Sequence, residues 1–525
     1  MQISPLAPLH HSQPFKSSLF CIPSPNGRLV AVLTSSAILV RSTTTLQTVY
    51  AVKLSPELTE PITTCSWSAC SSNILVSAGD QIRVFSACDS SLYATIQCPA
   101  APTGGRLSLV EFGASDTEVL ACAPSGLRLS IFDLASSRAV EVGNPKFCQP
   151  SSASRCFSIR PRTGHLLVLT RMGGKDMVSI HHPSTRQIIR SWYPGSTDAQ
   201  EIKWTPDGQW ILLWESPVQG RRLFIYASDG QHFRTLEASS LASNPTDSTK
   251  LDMEPGIKSC QLSCDSELCA VGDHSRGVTV LRTGIWRALM SLWHPLAVSP
   301  CETLQVWQEQ VSSRVNGGDV HAFLRAAQAV SPPSMAENML LSVDARTGCS
   351  LCAFDASSTL LATRLDESPG TIWIWDLAAG ELRAVIIFHS VISFYWHPTS
   401  RETLLISCRE EGKHVASYVW DPLSPGPVWL DVEKYLPGCD AHGPRLQFSW
   451  LNHETDSPQL LVSDAQQYVL LSLADWEQEA NPWQAAERGS ESDGSASGRD
   501  GLEPIDLAED ISTLEDTFSF RHTKT

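Results

Sequence analysis

Two cysteines three residues apart, Cys349 and Cys352 in the stretch CSLC, have the spacing of a metal-ligand pair. A structural zinc site needs four ligands, commonly with a second Cys or His pair at a matching spacing, and no such pair is evident in the sequence. His181 and His182 end a predicted strand, where neighbouring side chains face opposite sides of the sheet, so they do not form a natural chelate. We therefore predict no metal site and interpret the CSLC cysteines as core or strand-edge thiols.

Motifs for catalysis and phosphate binding are also missing from the sequence. The stretch RMGGKDM around Lys175 lacks the spacing of a phosphate-binding loop and the Ser or Thr that follows its lysine. We find no GxSxG nucleophile elbow and no recognisable acid–base pair of carboxylates. Catalytic residues that converge only on folding leave no local motif, so a hydrolase remains an alternative. We predict a protein without catalytic residues or a cofactor.

The composition narrows the function classes further. Hydrophobic residues make up 42% of the 525 residues and charged residues 18%, which supports a large buried core. The net charge is −16, and no run of Lys and Arg of the kind that grips nucleic acid occurs. We also find no secretory signal and no apolar stretch long enough to span a bilayer. We expect a cytoplasmic protein with reduced cysteines and no nucleic-acid or membrane partner.

The elements that would position functional residues are repeated along the chain. One apolar pattern that ends in a bulky residue recurs nine times, at intervals of about 45 to 55 residues apart from one long gap, as expected for four-stranded propeller blades. The nine stretches are AILVRS, IRVFS, LSIFDL, VSIHHP, LFIYAS, VTVLRT, IWIWDL, SYVWDP and YVLLSL.

A second marker runs in phase with the first, since an apolar stretch and a turn signal precede each of these strands. SPNG and TPDG are the strongest of these turns, because Gly tolerates a positive φ and Pro presets the corner before it. We predict an all-β fold, a WD-repeat β-propeller of about nine repeat units over residues 1–475. Eight blades, nine blades and two incomplete rings all remain open. The N-terminal SPLAPLHH is a candidate outer strand for the last blade.

Two segments fall outside the repeat. Residues about 296–344 break the period, and we interpret them as a long exposed insertion instead of a weak extra blade. Residues 484–525 are rich in Ser, Gly, Asp and Glu, which predicts a disordered acidic tail. Four apolar residues of the tail share one face if it becomes a helix that folds on docking to a partner. They are Leu507, Ile511, Leu514 and Phe518. We favour a solubilising tail over this candidate helix.

The ordered set of repeats resembles one family. The segments GIKSCQLSCDSELCAVGDHSRGVTVLRTGIWRALMSLWHP and LATRLDESPGTIWIWDLAAGELRAVIIFHSVISFYWHP carry most of the resemblance, and KDMVSI and IKWTPDGQWILLW add to it. They are similar to the WD-repeat-protein-eight family, also called WRAP-seventy-three, of spindle-pole and centrosomal propellers. The order and spacing agree over residues 15–475 or so, including the long insertion after the first WHP.

The resemblance implies a non-catalytic scaffold at the spindle pole body or another microtubule-organising centre of the cytoskeleton. Its implied partners are a coiled-coil microtubule-anchoring protein and a minus-end-directed kinesin, and its implied role is to tether microtubule minus ends in the mitotic spindle. The family has no established catalytic residues, so none carries over. A translation-initiation or ribosome-associated propeller is the main alternative function.

Three residues in GIWRALMSLWHP are candidates for a partner contact. Trp286 and Trp293 have two interpretations, packing between blades or binding a partner. The partner interpretation rests on Trp293 and His294, because they lie at the mouth of the longest insertion and aromatic residues often anchor interfaces.

Overall fold

The computed structural model shows an all-β chain. It describes residues 9–54, 61–88, 93–98, 107–123, 125–146, 155–237, 256–313, 319–334, 347–399, 402–409, 416–436, 446–451, 457–473, 481–484 and 521–523. These residues form nine sheets, so the prediction of a WD-repeat β-propeller with about nine repeat units is confirmed. The sheets are called blades 1–9 in chain order below.

Most of blades 1, 2, 3 and 9 lies in one compact unit, made of Ala7–Ile159, His181–Ile188 and Val432–Thr525. Strands β1 (His10–His11) and β2 (Phe15–Lys16) precede blade 1. Blade 1 is β3 (Phe20–Pro23), β4 (Leu29–Leu33), β5 (Ala37–Ser42) and β6 (Thr48–Lys53). Blade 2 is β7 (Ile62–Trp67), β8 (Asn73–Ala78), β9 (Gln81–Ser86) and β10 (Tyr93–Gln97). Blade 3 is β11 (Leu109–Phe112), β12 (Glu118–Cys122), β13 (Arg128–Asp133) and β14 (Arg138–Gly143).

The second unit comprises Met1–Leu6, Arg160–Ile180 and Ile189–Asp431, and the division passes through blade 4. Blade 4 is β15 (Phe157–Ile159), β16 (Leu166–Met172), β17 (Lys175–His181) and β18 (Ile188–Trp192). Blade 5 is β19 (Ala199–Trp204), β20 (Trp210–Glu215), β21 (Leu223–Ala227) and β22 (His232–Leu236), with a 3₁₀ turn at Pro217–Gln219. Blade 6 is β23 (Ile257–Leu262), β24 (Leu268–Asp273), β25 (Gly277–Arg282) and β26 (Arg287–Trp293).

The remaining strands complete both units. A hairpin of β27 (Gln305–Ser313) and β28 (Asp319–Arg325) precedes blade 7, which is β29 (Cys349–Phe354), β30 (Leu360–Leu365), β31 (Thr371–Asp376) and β32 (Glu381–Ile387). Blade 8 is β33 (Val391–Trp396), β34 (Leu404–Arg409), β35 (Ser417–Trp420) and β36 (Val428–Leu430), and a 3₁₀ turn follows at Val432–Lys434. Blade 9 is β37 (Gln447–Leu451), β38 (Gln459–Ser463) and β39 (Gln467–Ser472), and the last strand is β40 (Arg521–Thr523).

Blade 2 buries both faces of its second strand against its neighbours, blades 1 and 3. All six residues of β8 are buried, although neighbouring side chains on a strand point to opposite faces. Ile74 and Val76 pack with blade 1, whereas Leu75 packs with blade 3. This arrangement explains why the second and third strands of the repeat read as continuous apolar runs instead of alternating ones. The nine stretches of the recurring apolar pattern are all third strands of their blades.

The turn between the first and second strand is held by one recurring side-chain bond. Ser24 Oγ accepts the backbone N–H of Leu29 at 3.0 Å, and Thr205 Oγ1 accepts the N–H of Trp210 at 3.0 Å. Gly27 and Gly208 close these two turns at φ 69° and 71°. The SPNG and TPDG signals therefore form tight turns, as the sequence predicted, because Gly adopts this left-handed backbone without strain.

The N-terminal segment completes the last blade. Strand β1 pairs with β39, with His10 opposite Ser472, and Leu470 donates its backbone N–H to Ser12 Oγ at 3.1 Å. The prediction of an N-terminal outer strand is confirmed for these residues, and the preceding stretch SPLAP lies outside the described residues. Trp483, beyond blade 9, is buried and donates its indole N–H to the carbonyl of Thr43 at 2.8 Å.

The long insertion differs from the expected exposed excursion. Strand β27 pairs in parallel with β32, so the hairpin extends blade 7 to six strands. Glu309 on β27 is buried, and its carboxylate accepts the hydroxyl of Tyr418 at 2.7 Å and the backbone N–H of His389 at 2.9 Å. Burial, followed by the Glu309 charge, raises the pKa of Tyr418, which keeps this hydroxyl a donor. The sequence missed this pairing because it joins residues about 80 apart.

The acidic tail lies almost entirely outside the described residues. That includes all four residues of the candidate tail helix, namely Leu507, Ile511, Leu514 and Phe518. The helix therefore stays a prediction. Strand β40 pairs in parallel with β14 and adds a fifth strand to blade 3.

A buried ion pair joins blade 3 to the third turn of blade 4. Arg186 donates to both carboxylate oxygens of Glu118 at 2.5 Å, and Glu118 also accepts the N–H of Ala114 at 2.7 Å. Both charged side chains are almost fully buried. Because each charge is removed from water, each depends on the other for compensation.

Replacing Glu118 with Ala should lower the free energy of unfolding by about 3–5 kcal/mol, because Arg186 would keep a buried charge without its partner. Urea unfolding followed by tryptophan fluorescence measures this loss. Glu141→Ala is the control, since Glu141 pairs with Arg128 at an exposed site and should change stability by about 1 kcal/mol or less. Equal losses in the two variants would contradict a buried, energetically important pair.

Candidate partner-contact surface

The three candidate residues lie on or beside β26 in blade 6, and the structure separates them. Trp286 is in the turn before β26, Trp293 is its last residue, and His294 follows it. Trp293 has 63% of its surface exposed, whereas Trp286 and His294 are 0% exposed. A side chain without exposed surface cannot bind a partner in this conformation. The partner-contact hypothesis therefore narrows to Trp293.

Trp286 packs in the core between blades 5 and 6. Its backbone has φ 49°, and its N–H donates to the carbonyl of Arg282 at 2.8 Å, which closes the turn. The indole meets Trp210 of blade 5 edge-on, with ring centroids 6.1 Å apart. Arg234 donates to the carbonyl of Trp286 at 3.1 Å. The packing interpretation fits Trp286, and its burial stabilises a backbone conformation that is unfavourable for an aromatic residue.

His294 joins blade 6 to blade 7 through a chain of hydrogen bonds. Its Nδ1–H donates to the carbonyl of Arg276 at 2.6 Å, and its Nε2 accepts the hydroxyl of Thr363 at 2.8 Å. Thr363 Oγ1 in turn accepts the indole N–H of Trp375 at 3.0 Å. The rings of Trp373 and Trp375 meet the imidazole edge-on at 5.3 and 5.2 Å.

This arrangement requires a neutral imidazole. A neutral ring has one donor and one acceptor nitrogen, and both are used here. Burial lowers the pKa of His294 to about 4, although the bond to the Arg276 carbonyl opposes the shift. The sequence placed His294 beside an insertion, but its partner Thr363 lies 69 residues away, so no local signal revealed the bond.

Trp293 lies over a glycine at an exposed strand end. A Cβ added to Gly277, its cross-strand partner, would come within 3.3 Å of the indole, so this glycine makes room for the ring. Leu289 and Leu296 are 46% and 74% exposed on the same segment. Arg276 donates to the carbonyls of His294 at 2.9 Å and Pro295 at 3.3 Å, and so holds the backbone after Trp293 in place.

We call Leu289, Trp293 and Leu296 the β26 surface. Sequence reasoning missed Leu289 and Leu296, because the mostly apolar stretch RALMSLWHPL gives no sign of which side chains are buried. Among these three side chains Trp293 is of the type that is enriched in interface anchors. Partner binding by this surface stays a prediction, and its three side chains are exposed to solvent.

The cysteines of the CSLC stretch are buried side by side, with their sulfurs 3.3 Å apart. Cys260 and Cys269 of blade 6 form a second buried pair, with sulfurs at 3.4 Å. In the described ranges, no three His, Cys, Asp or Glu side chains are placed to hold a metal ion. Hydrogen bonding to Cys260 and burial raise the pKa of Cys269, so its thiol stays protonated.

The part of the chain that the structure describes contains no helix with the length and apolarity needed to cross a membrane.

The stability of the protein should fall between about pH 6.5 and about pH 4 as His294 is forced to accept a proton. The unfolded chain binds this proton near pH 6.5 and the folded chain only near pH 4, so stability is lost as the pH falls through this window. The share from His294 is about 3 kcal/mol. Urea unfolding at several pH values should show a shallower pH dependence for His294→Gln than for the wild type. His232→Gln, at an exposed histidine, is the control, and identical slopes for His294→Gln and the wild type would contradict the assignment.

Substitution of the two tryptophans should have opposite consequences. Trp286→Ala should lower the free energy of unfolding by about 3–5 kcal/mol, because it empties a core site. Trp293→Ala should change it by less than about 1 kcal/mol, because most of its ring is already in water. Urea unfolding measures both values. A large loss from Trp293→Ala would return Trp293 to the packing interpretation.

Comparison with known proteins supports the repeat assignment. No protein-family model matches the chain. WD repeat-containing protein WRAP73 of Mus musculus is 25% identical over 437 residues, which cover 79% of this chain and 87% of the relative. A crystal structure described as that of the eukaryotic initiation factor matches with a TM-score of 0.50 and 10% identity, over 78% of this chain and 86% of that chain.

The structural match at this identity shows a common fold and nothing more specific. The sequence match extends over most of both proteins, as the resemblance of the repeats indicated. Nine blades of the WD-repeat pattern and this sequence match together show a WD-repeat β-propeller that is similar to WRAP73 over most of its length.

Proposed function

We propose that the protein is a non-catalytic scaffold at the spindle pole or another microtubule-organising centre. It holds a coiled-coil microtubule-anchoring protein and a minus-end-directed kinesin, and so tethers microtubule minus ends. The observation that carries the proposal is the similarity to WRAP73, because it covers 79% of this chain and 87% of the relative. A match to a single repeat would give much weaker support for this function, since WD repeats occur in proteins of many functions.

The surface chemistry is compatible with this role. A scaffold needs exposed anchors on a rigid framework, and the β26 surface offers Trp293 and two leucines on a backbone fixed by Arg276. The net charge of −16 is unsuited to direct binding of nucleic acid, which requires clustered basic residues. For the alternative of a translation-initiation propeller, the initiation-factor match supplies only a fold at 10% identity. We therefore keep the spindle-pole scaffold as the proposed function.

Imaging the fluorescently tagged full chain through mitosis tests the proposal. We expect foci at the two spindle poles, where the partners collect microtubule minus ends. Trp293→Ala should disperse the foci at unchanged protein abundance, because it removes the exposed anchor of the β26 surface and leaves the core intact. Leu423→Ala is the matched control, since Leu423 is another exposed apolar side chain, distant in sequence from β26, at 92% exposure.

Two results would count against the proposal in different ways. A diffuse signal for the wild-type protein throughout mitosis would overturn the spindle-pole function. Foci that persist in Trp293→Ala would leave that function standing and remove Trp293 as its contact. Co-sedimentation of the wild-type protein with ribosomes, in place of pole foci, would favour the translation alternative.

A further inference from the structure

The free edge of a blade's fourth strand can accept another strand, as the chain itself shows in blade 7. There β27 pairs in parallel with β32, with Val306 opposite Val385 and Gln308 opposite Ile387. Strand β32 is otherwise the edge of blade 7, and the added strand covers its unpaired backbone groups. An exposed edge of this kind is a template for pairing with another polypeptide.

Strand β26 of blade 6 presents the same edge, and no strand among the described residues pairs with its outer side. The backbone N–H of His294 donates to the carbonyl of Arg276. In blade 7 the backbone N–H of Phe388 donates to the carbonyl of Gly370 in the same way. Backbone groups alternate in direction along an antiparallel strand, so Ser291 and Trp293 direct their N–H and C=O groups away from β25. They occupy the positions that Val385 and Ile387 hold in β32. Within the described part of the chain, β25 is the one strand that pairs with β26.

Two arginines make this edge favourable for a ligand with negative charge. Arg282 and Arg287 lie directly opposite each other at the turn end of β25 and β26, and both are exposed. Neither has an ion pair with the residues that the structure describes. Like charges in a directly opposed cross-strand pair repel each other, so a carboxylate beside them would be favourable.

The apolar and basic groups of the edge lie on opposite faces of blade 6. Arg282 shares the face of Val280, which packs in the core with blade 7. Trp293, opposite Gly277, faces the other way, towards blade 5. A strand added to β26 therefore meets an aromatic side chain on one face and two guanidinium groups on the other. Its own side chains alternate between the same two faces.

We propose that the free edge of β26 binds an extended acidic segment of a partner protein as an added strand, in the parallel direction that β27 takes on β32. The segment carries apolar side chains towards Trp293 and carboxylates towards Arg282 and Arg287. This proposal rests on the scaffold function only in taking the ligand to be a protein. It names the chemistry by which blade 6 recognises that protein, namely backbone pairing combined with charge.

The test uses the full chain and a fluorescein-labelled peptide of about ten residues that alternates Glu and Val, the pattern of a strand with one acidic and one apolar face. Fluorescence anisotropy should show saturable binding that weakens as salt is added. The same peptide with N-methyl groups on alternate residues cannot complete the backbone pairing. A peptide that alternates Lys and Val places cations against the two arginines. Both should bind at least about tenfold more weakly.

Variants of β26 separate edge pairing from other binding. Ser291→Pro removes an outward N–H at an edge position, where proline is tolerated, and should weaken binding at least about tenfold. Ser291→Ala is the matched control, since it keeps the N–H, and should bind within about twofold of the wild type. Arg282→Glu together with Arg287→Glu should reverse the preference between the acidic and basic peptides. Thermal melting of each variant checks that it is folded.

The proposal is overturned if the acidic peptide shows no saturable binding, if Ser291→Pro binds it as the wild type does, or if the N-methylated peptide binds equally well. If Ser291→Pro does not fold, the comparison of the N-methylated and unmethylated acidic peptides on the wild-type protein tests strand addition by itself. Pole foci in the imaging experiment together with failed peptide binding would refute strand addition and leave the scaffold function intact.

Discussion

Within each compact unit, the blades of this protein depend on burying the faces of their sheets against one another. A single four-stranded sheet of this kind exposes apolar side chains on two sides, so it is stable only within a stack of sheets. The apolar cluster of blades 7 and 8 illustrates this, because Ile374 of β31 and Ile406 of β34 lie in it together without exposure to water. This constraint acts on the apolar pattern of a whole repeat and not on any individual residue.

Polar bonds between blades add specificity to this apolar packing. Glu118 with Arg186, His294 with Thr363, and Glu309 with Tyr418 each place a buried donor opposite a buried acceptor on another blade or hairpin. Apolar side chains can slide past one another at small cost, whereas a buried polar group left without a partner costs about 1–3 kcal/mol. These bonds therefore fix which blades are neighbours and how their strands are aligned with one another. In this way they hold exposed residues such as Trp293 in defined positions.

The local parts of the structure could be predicted from the sequence, and the non-local parts could not. The third strands and the SPNG and TPDG turns depend on residues within a few positions of one another, so they leave a periodic signal. The pairing of β27 with β32 joins segments separated by about 80 residues, so no local pattern marks it. The same limit applies to the candidate site, where His294 is buried with a bond to Thr363, 69 residues away, whereas the adjacent Trp293 is exposed.

The exposed edge of β26 combines a need for protection with the binding that we propose. Edge strands promote aggregation, and charged side chains are one of the ways in which proteins protect them. The opposed arginines Arg282 and Arg287 do this, since two cations repel a second copy of the same edge. The same repulsion disappears when an acidic strand approaches, so the charges that exclude wrong partners also select the right one. Blade 7 differs, because its own hairpin covers β32 and makes β28 the edge strand of the sheet.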